Sequence, residues 1–251
     1  MIIDRPTAPQ LPQLKALWAE AFGDPPDFID RFFVTGFHPD RCLAVTKGSR
    51  VCAALYWFDC LWQGRKLAYL YAVATGKAYR GQGLCRAMMD AAHARLQACG
   101  YWGAVLVPGN GSLFGLYEKF GYTPFCPTTL HRIPAGEQPC SVRPVSADTF
   151  EALRSHRLPV NAVVQEGAAL AFAATFLDFY MGSDTLFAAA KEGDTLYFQE
   201  FLGDAQMLPG IVAALGAAEG VVRLPGDTPF AMYRSFCSST EAPDYFGIAM
   251  Q

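Results

Sequence analysis

Charged residues are scarce in this sequence. Of 251 residues, 20 are Lys or Arg and 23 are Asp or Glu, which leaves a formal net charge of −3. Without an excess of positive charge, the chain lacks the electrostatic signature of a general nucleic-acid binder. The hydrophobic fraction of 52% excludes a disordered chain, because that much apolar surface can build substantial cores. The length suits two domains of ordinary size.

The sequence also lacks a long uninterrupted apolar run. Its most apolar segment, residues 160–181, is interrupted by Gln165, Glu166 and Asp178, which favours a buried helix over a membrane span. The first six residues carry neither a basic region nor an apolar stretch. We therefore expect no signal peptide and no membrane partner.

Paired cysteine motifs are absent as well. The eight cysteines contain no Cys-x-x-Cys pair, and several fall in apolar segments, where a free cysteine behaves as a small hydrophobic residue. This pattern favours a reduced, cytoplasmic protein and gives no candidate metal site.

The most informative stretch is a glycine-bearing turn between a strand and a helix. Residues 67–74 have the length and composition of a buried strand, and apolar residues recur at helical spacing from Leu84. Gly81 and Gly83 remove the Cβ atoms that would hold an anionic ligand away from the backbone. The free N–H groups and the dipole of the helix's first turn favour negative charge there. The segment therefore predicts a pyrophosphate-binding loop.

Spacing excludes two familiar phosphate-binding loops. A P-loop needs widely spaced glycines followed by Lys-Ser/Thr, and that pair does not occur here. A dinucleotide loop needs Gly-x-Gly-x-x-Gly after a first strand, but Arg86 occupies the third glycine position. An ordinary glycine-rich turn without a ligand is the remaining alternative.

Two motifs in this region resemble signatures of one superfamily. In the glycine-bearing turn, Arg80-x-x-Gly83-x-Cys85 resembles the acyl-coenzyme A loop of the GNAT N-acetyltransferase superfamily, Gln/Arg-x-x-Gly-x-Gly/Ala, with a cysteine at the last position. The second motif follows one helix and one strand later. Residues 110–122 begin Asn-Gly-Ser and end Leu-Tyr-Glu-Lys-Phe-Gly-Tyr, and they resemble the superfamily's second signature. Because both motifs occur in the right order, the chain resembles a member of this superfamily.

The resemblance implies where acetyl-CoA binds. The residues expected to contact it are Val73, Ala74, Thr75, Arg80, Gly81, Gln82, Gly83, Leu84, Cys85, Arg86, Asn110 and Ser112. The resemblance also gives Tyr117 a catalytic role beside the departing thiolate. With a pKa of ~10 against ~8.5 for a thiol, its hydroxyl group can supply a hydrogen bond and a proton. Two simpler interpretations stay open, Tyr117 as a core residue and Asn110 as the N-cap of its helix.

The predicted fold class is α+β (α/β). The resemblance implies a GNAT fold, a mixed and mostly antiparallel sheet flanked by helices, at residues 1–133. A degenerate second GNAT-like domain is expected at residues 140–251. Segments of the second half echo the first, for example Gly-x-x-x-x-Pro-Gly at residues 220–226 and 103–109, which indicates duplication. Chance similarity between apolar strands is the alternative.

The second copy is expected to be incomplete. Asp204 stands where the loop glycines would be and is better explained as an N-cap. Only two strands, residues 186–190 and 195–202, are expected before the next helix, so one strand of the meander should be missing. This tandem resembles the first two domains of the enhanced-intracellular-survival type of acetyltransferase. The third, sterol-carrier-like domain of that type has no counterpart in this sequence.

The general base is the least determined part of the expected site. An amine with a pKa of ~10.4 must lose a proton near pH 7, which costs about 4.6 kcal/mol without assistance. Residues 67–74 contain no acid, although many relatives place a Glu there. The alternatives, each also explicable as a surface or structural group, are Asp59, Glu118, His38 and His93. By resemblance to the three-domain type, the chain-terminal carboxylate of Gln251 is a further catalytic candidate.

These expectations combine into one function and one alternative. The resemblance implies an acetyl-CoA-dependent N-acetyltransferase that moves an acetyl group to a primary amine of a small molecule, by direct transfer in a ternary complex. The alternative is a non-catalytic acyl-CoA-binding or regulatory protein. No nucleic-acid partner and no metal are expected. The sequence contains no acidic cluster suited to a polycation, and it leaves the acceptor and the oligomeric state open.

Overall fold

The computed structural model describes residues 1–238 and 240–250. In this part of the chain, the strands form two mixed sheets, and α-helices pack on the faces of these sheets. The strands are β1 (Ile2–Asp4), β2 (Cys42–Lys47), β3 (Arg50–Trp62), β4 (Arg65–Thr75), β5 (Gly103–Leu106), β6 (Thr123–Phe125), β7 (Thr128–Pro134), β8 (Arg143–Val145), β9 (Ala162–Gln165), β10 (Asp178–Met181), β11 (Leu186–Glu192), β12 (Thr195–Leu202), β13 (Glu219–Pro225), β14 (Ala231–Ser235) and β15 (Tyr245–Phe246). The helices are α1 (Leu11–Phe22), α2 (Pro26–Thr35), α3 (Leu84–Ala98), α4 (Phe114–Glu118), α5 (Ala147–Ser155), α6 (Ala168–Ala173) and α7 (Leu208–Ala214). None of these helices is long and apolar enough to cross a membrane.

The first sheet has the order β1-β2-β3-β4-β5-β14-β6. Its first four strands form an antiparallel meander, and β4 and β5 then run parallel. The strand predicted at residues 67–74 is β4, which begins two residues earlier and ends one residue later. In the meander, long strands alternate with short Gly-containing turns. This mixed sheet flanked by helices is the predicted fold class.

Helices cover both faces of the first sheet. On one face, α1 buries Leu14, Leu17 and Trp18 against β3 and β4. On the other face, α3 packs its apolar side against β2–β5. Phe22, the last residue of α1, is 47% exposed, because the helix ends at Gly23, whose φ of +77° turns the chain away.

The second sheet repeats this arrangement with the order β7-β13-β12-β11-β10-β8. The parallel pair β12 and β13 matches the pair β4 and β5. The side chain of Asp204 accepts a hydrogen bond from the Gln206 N–H, which confirms the predicted N-cap. The expected loss of one meander strand is wrong. The interpretation of residues 160–181 as one buried helix is also wrong, because this segment contains β9, α6 and β10, and β10 lies between β8 and β11.

The two sheets exchange strands. β7 lies at the edge of the second sheet beside β13, and β14 lies between β5 and β6 of the first sheet. The first half therefore supplies β7 to the second sheet. The second half supplies β14 to the first sheet, together with β9, which pairs with the end of β3, and β15, which pairs with β9. The division into residues 1–133 and 140–251 stays a prediction.

One apolar core runs between the two halves. On α2, Phe28 and Phe32 contact Phe172 of α6 with ring centroids 5.4 and 5.3 Å apart. The segment after β15 also enters this core, where Ile248 and Met250 are buried. The second half thus packs on the side of the first sheet that carries α1 and α2.

Candidate active site

Strands β4 and β5 separate in the middle of the first sheet. Their pairing runs only from Leu67–Gly103 to Tyr69–Val105, while β4 continues to Thr75. Among the described strands, none pairs with β4 on this side beyond Tyr69, so backbone N–H and C=O groups there are available to a ligand. A cavity of about 320 Å³ lies at the gap.

The cavity is lined mainly by aromatic and aliphatic side chains. Its walls come from α1, the turn after it, α2, β4, β5, the turn after β5, α4 and the C-terminal segment. The lining residues are Trp18, Phe22, Asp24, Phe28, Tyr69, Leu70, Tyr71, Ala72, Val73, Leu106, Val107, Gly109, Leu113, Tyr117 and Met250. A largely apolar wall with a few polar groups is typical of a small-molecule site.

A β-bulge interrupts β4 at the wall of this cavity. Ala72 has a φ of +49°, and the pairing of β3 with β4 shifts register between Ala54 and Tyr56. A non-glycine residue in this region costs about 1–3 kcal/mol and persists only where surrounding structure imposes it. Bulges re-aim the residues beside them. The sequence gives no sign of the bulge, since alanine is uncommon at positive φ.

The glycine-bearing loop has the predicted geometry. Gly81 and Gly83 have φ values of +73° and +75°, and a Cβ atom at either position would meet nothing within 4 Å. Gly83 is the N-cap of α3, and the helix's first hydrogen bond runs from Ala87 N–H to Gly83 O. The N–H groups of the first helical turn therefore have no partner within the helix. The loop therefore has the open backbone geometry and the free N–H groups that suit an anion.

Positive side chains surround the loop. Arg80 and Arg86 are exposed, and the Arg86 guanidinium lies 5.0 Å from the centroid of the Phe120 ring. Lys47 Nζ donates to Gln82 Oε1 at 2.6 Å, which places a third cation here that the sequence analysis did not identify. The Nε of Arg80 donates to the Thr75 carbonyl at 3.2 Å and ties the loop to the end of β4.

Tyr117 lies in the wall of the cavity and is only 8% exposed. No described residue is hydrogen-bonded to its hydroxyl group. Burial, with a smaller contribution from the nearby Cys85 thiol, raises the pKa of Tyr117. The hydroxyl group therefore keeps its proton across the neutral range and can act as a donor. Tyr117 packs in the core and faces the cavity at once, so the two interpretations of this residue are compatible.

The remaining predicted contact residues divide into two groups. Val73 is half-buried and lines the cavity, whereas Ala74 and Leu84 are buried in the cores on either side of the sheet. Asn110 Oδ1 accepts hydrogen bonds from the Ser112 N–H at 3.0 Å and from the Ser112 hydroxyl at 2.6 Å. Asn110 is thus an N-cap, although of the short 3₁₀ turn Gly111–Leu113 that precedes α4.

Asp24 is a cavity residue that the sequence analysis missed. It lies in the turn between α1 and α2, where the Trp18 indole N–H donates to its Oδ2 atom at 2.7 Å. Its negative charge, after the larger effect of burial, raises the pKa of Tyr71. A lone Asp in a Gly-Asp-Pro-Pro turn resembles an ordinary turn residue, so only the fold reveals its position.

The other base candidates lie away from this cavity. Asp59 forms ion pairs with Arg41 and Lys66 on a different surface. Glu118 is exposed, and His38 Nδ1 accepts the Asp40 N–H as a cap. None of the three lines the cavity.

The C-terminal segment reaches the cavity through Met250. The Tyr69 hydroxyl donates to the Met250 carbonyl at 2.9 Å, and Gln165 Nε2 donates to the Ile248 carbonyl at 3.0 Å. Gln251, the predicted terminal carboxylate, lies outside the described residues, so its catalytic role stays a prediction.

A buried polar network anchors this segment to the second half. Arg154 donates through Nε to Glu200 Oε2 at 2.5 Å and through Nη2 to Gln165 Oε1 at 2.8 Å. Tyr245 donates to Glu200 Oε1 at 3.1 Å. The backbone passes so close that a Cβ atom at Gly247 would lie 1.6 Å from that carboxylate oxygen. The ion pair in the second half therefore fixes the path of the chain toward Met250.

Comparisons with known proteins agree with this geometry. Residues 3–125 match the family model described as an acetyltransferase (GNAT) domain. A comparison with curated proteins gave no match in sequence.

Several solved structures share the fold over both halves of the chain. A GCN5-related N-acetyltransferase from Anabaena variabilis is 15% identical, with 93% of this chain and 72% of the other covered at a TM-score of 0.76. Eis1 from Mycobacterium abscessus is 11% identical, with 94% and 74% covered at a TM-score of 0.67. A putative acetyltransferase from Pyrococcus horikoshii is 15% identical, with 99% and 94% covered at a TM-score of 0.66. At these identities the likeness is one of fold. The match over residues 3–125 identifies this part of the chain as a GNAT acetyltransferase domain.

Proposed function

We propose that this protein transfers the acetyl group of acetyl-CoA to a primary amine of a small molecule, by direct attack in a ternary complex. The observation that carries the proposal is the gap between β4 and β5, which leaves backbone groups unpaired beside a cavity with Tyr117 in its wall. The open loop at Gly81 and Gly83 follows directly after β4.

The residues present fit an acyl-CoA donor. Unpartnered N–H groups of α3 and the cations Lys47, Arg80 and Arg86 suit a pyrophosphate. The unpaired edge of β4 suits an extended chain that carries amide groups. The proposed cofactor contacts are those of the loop 80–86, of residues 73–75, and of the turn that holds Asn110 and Ser112.

The chemistry requires one bond to form and one to break. The lone pair of the neutral amine attacks the acetyl carbonyl carbon, the N–C bond forms and the C–S bond breaks. The amine loses one proton and the departing thiolate gains one, so no other reactant is needed. We assign to Tyr117 a hydrogen bond to the thiolate sulfur, which stabilises the charge that develops there.

The test is turnover of acetyl-CoA with a panel of primary amines, followed by thiol release and by mass spectrometry of the amine. We expect one mole of thiol for each mole of N-acetylated product. Binding of acetyl-CoA without turnover of any amine would contradict the proposal and favour a non-catalytic acyl-CoA-binding protein. Absence of acetyl-CoA binding would contradict both the acetyltransferase and the non-catalytic acyl-CoA-binding protein.

A further inference from the structure

We propose that the acceptor is a small amine with a single positive charge and an aromatic or aliphatic body, and that Asp24 is the residue that selects it. This inference rests on the proposed function and names the substrate class for the same cavity.

The cavity wall formed by α1, the turn after it and α2 is aromatic. Trp18 belongs to this wall, with its ring centroid 5.6 Å from that of Tyr71 and 5.9 Å from that of Phe22. Phe28 completes this wall from α2. Phe22 remains 47% exposed at the end of α1. Rings arranged in this way offer flat apolar surface to a ligand, and a highly hydrated polar ligand would gain little from them.

Asp24 is the one acid among the described residues that line the cavity. The indole of Trp18 holds its Oδ2 atom, and no described residue is hydrogen-bonded to Oδ1. One carboxylate oxygen is therefore fixed in orientation while the other is available to an ammonium or amine N–H group.

The neighbouring acids are already neutralised. Asp27 pairs with Arg31 at 3.2 Å and Asp30 pairs with Lys15 at 2.7 Å, both on the outer surface of α2. No second uncompensated carboxylate among the described residues faces the cavity. A ligand with several ammonium groups would find one carboxylate partner among the described residues and would have to bury its other charges unpaired, which is costly. A single cation matches Asp24, the one carboxylate among the described lining residues.

On this argument, Asp24 determines which amine binds, and it does not act as the general base that deprotonates the amine. An opposite charge nearby favours the protonated amine, so Asp24 helps binding more than proton loss. Its removal should therefore raise the KM for the amine far more than it lowers kcat.

The experiment compares 2-phenylethylamine with spermidine as acceptors at saturating acetyl-CoA. We expect kcat/KM to be at least 10-fold higher for 2-phenylethylamine. Asp24→Asn should raise its KM about 10- to 100-fold and leave the Kd for acetyl-CoA within twofold. Asp27→Asn, an exposed acid three residues away, is the matched control and should change neither value by more than twofold.

Calorimetric binding of 2-phenylethylamine in the presence of CoA gives a readout that does not depend on turnover, and we expect Asp24→Asn to weaken it. A preference for spermidine, or equal binding by the wild type and Asp24→Asn, would overturn the inference while leaving N-acetyl transfer in place. If the wild type neither turned over any amine nor bound acetyl-CoA, both this inference and the proposed function would be overturned.

Discussion

The side chain of Arg234 on β14 contacts that of His93 on α3, with Arg234 Nη1 2.8 Å from His93 Nδ1, although 141 positions separate the two residues in the chain. Arginine can only donate, so Nδ1 accepts and the proton of the neutral ring is on Nε2, which lies 2.9 Å from the Tyr122 hydroxyl. His93 is 3% exposed. It joins β14 to α3 and does not line the cavity.

The first prediction concerns pH. Burial, and then the charge of Arg234, lower the pKa of His93 from 6.5 to about 3. Below pH 6.5 the unfolded chain binds a proton that the folded chain does not. The contribution of His93 to stability is therefore present above pH 6.5 and is lost progressively as the pH falls toward 3, with a slope of at most about 1.4 kcal/mol per pH unit.

Urea unfolding of the wild type and of His93→Asn between pH 4 and 7 measures this effect. The difference in free energy of unfolding between the two proteins should narrow as the pH falls, because the variant has no imidazole to protonate. A constant difference across the range would show that His93 titrates equally in both states.

The second prediction concerns Tyr117. Tyr117→Phe keeps the ring in the core and removes only the hydroxyl group, whose raised pKa keeps it protonated. We expect kcat to fall roughly 10- to 1,000-fold, the scale of one acid–base contact, while the Kd for acetyl-CoA and the Tm barely change. Tyr197→Phe, at an exposed tyrosine of β12, is the control. Wild-type kcat in Tyr117→Phe would assign proton supply to solvent.

The third prediction concerns the loop before α3. Gly83→Val places a branched side chain at a φ of +75°, where it would project into the space proposed for the pyrophosphate. Gly193→Val is a matched control, because Gly193 also has a positive φ, +57°, and open space around it, but lies in the turn between β11 and β12. Both variants should lose similar stability.

Only Gly83→Val should weaken acetyl-CoA binding, by about 100-fold, or ~2.7 kcal/mol. Isothermal titration calorimetry gives both dissociation constants. Equal affinities in the two variants would remove the loop from the proposed binding site.

The fourth prediction concerns the network of Arg154 and Glu200. Glu200→Gln leaves the buried guanidinium of Arg154 without its counter-charge, which typically costs about 3–5 kcal/mol. The exposed pair of Arg132 and Glu219 provides the control, since Glu219→Gln should cost less than about 1 kcal/mol. Urea denaturation separates the two values.

Because this network holds the segment that carries Met250, Glu200→Gln should also raise the KM for the amine at temperatures where the protein stays folded. The Kd for acetyl-CoA should not change, since the loop at Gly83 lies on the other half. An unchanged KM alongside lowered stability would make the network structural only.

Local patterns predicted the parts of the site that depend on neighbours in sequence. The strand 67–74, the glycines at 81 and 83 and the helix from Leu84 follow each other directly, and backbone preferences determine their geometry. Tyr117 was identified through a motif, and the structure adds that its hydroxyl group has no hydrogen bond to a described residue.

Long-range packing determines the features that local sequence patterns did not predict. Asp24 reaches the cavity only because α1 packs its Trp18 face on the sheet and carries the following turn with it. Residues 178–181 form a strand because β8 and β11 pair with them on both sides, which outweighs their local resemblance to a helix. The pairing of Glu200 with Arg154 joins two elements that no local pattern relates.

The exchange of β7 and β14 has a consequence for biosynthesis. When the first half leaves the ribosome, β5 and β6 have an unfilled place between them, and the strand that fills it, where Met232 pairs with Leu106, is translated much later. Unpaired strand edges invite association with other chains. Nascent chains should therefore depend on chaperones until residues 231–235 emerge, and a ribosome that stalls before this point should leave an aggregation-prone product.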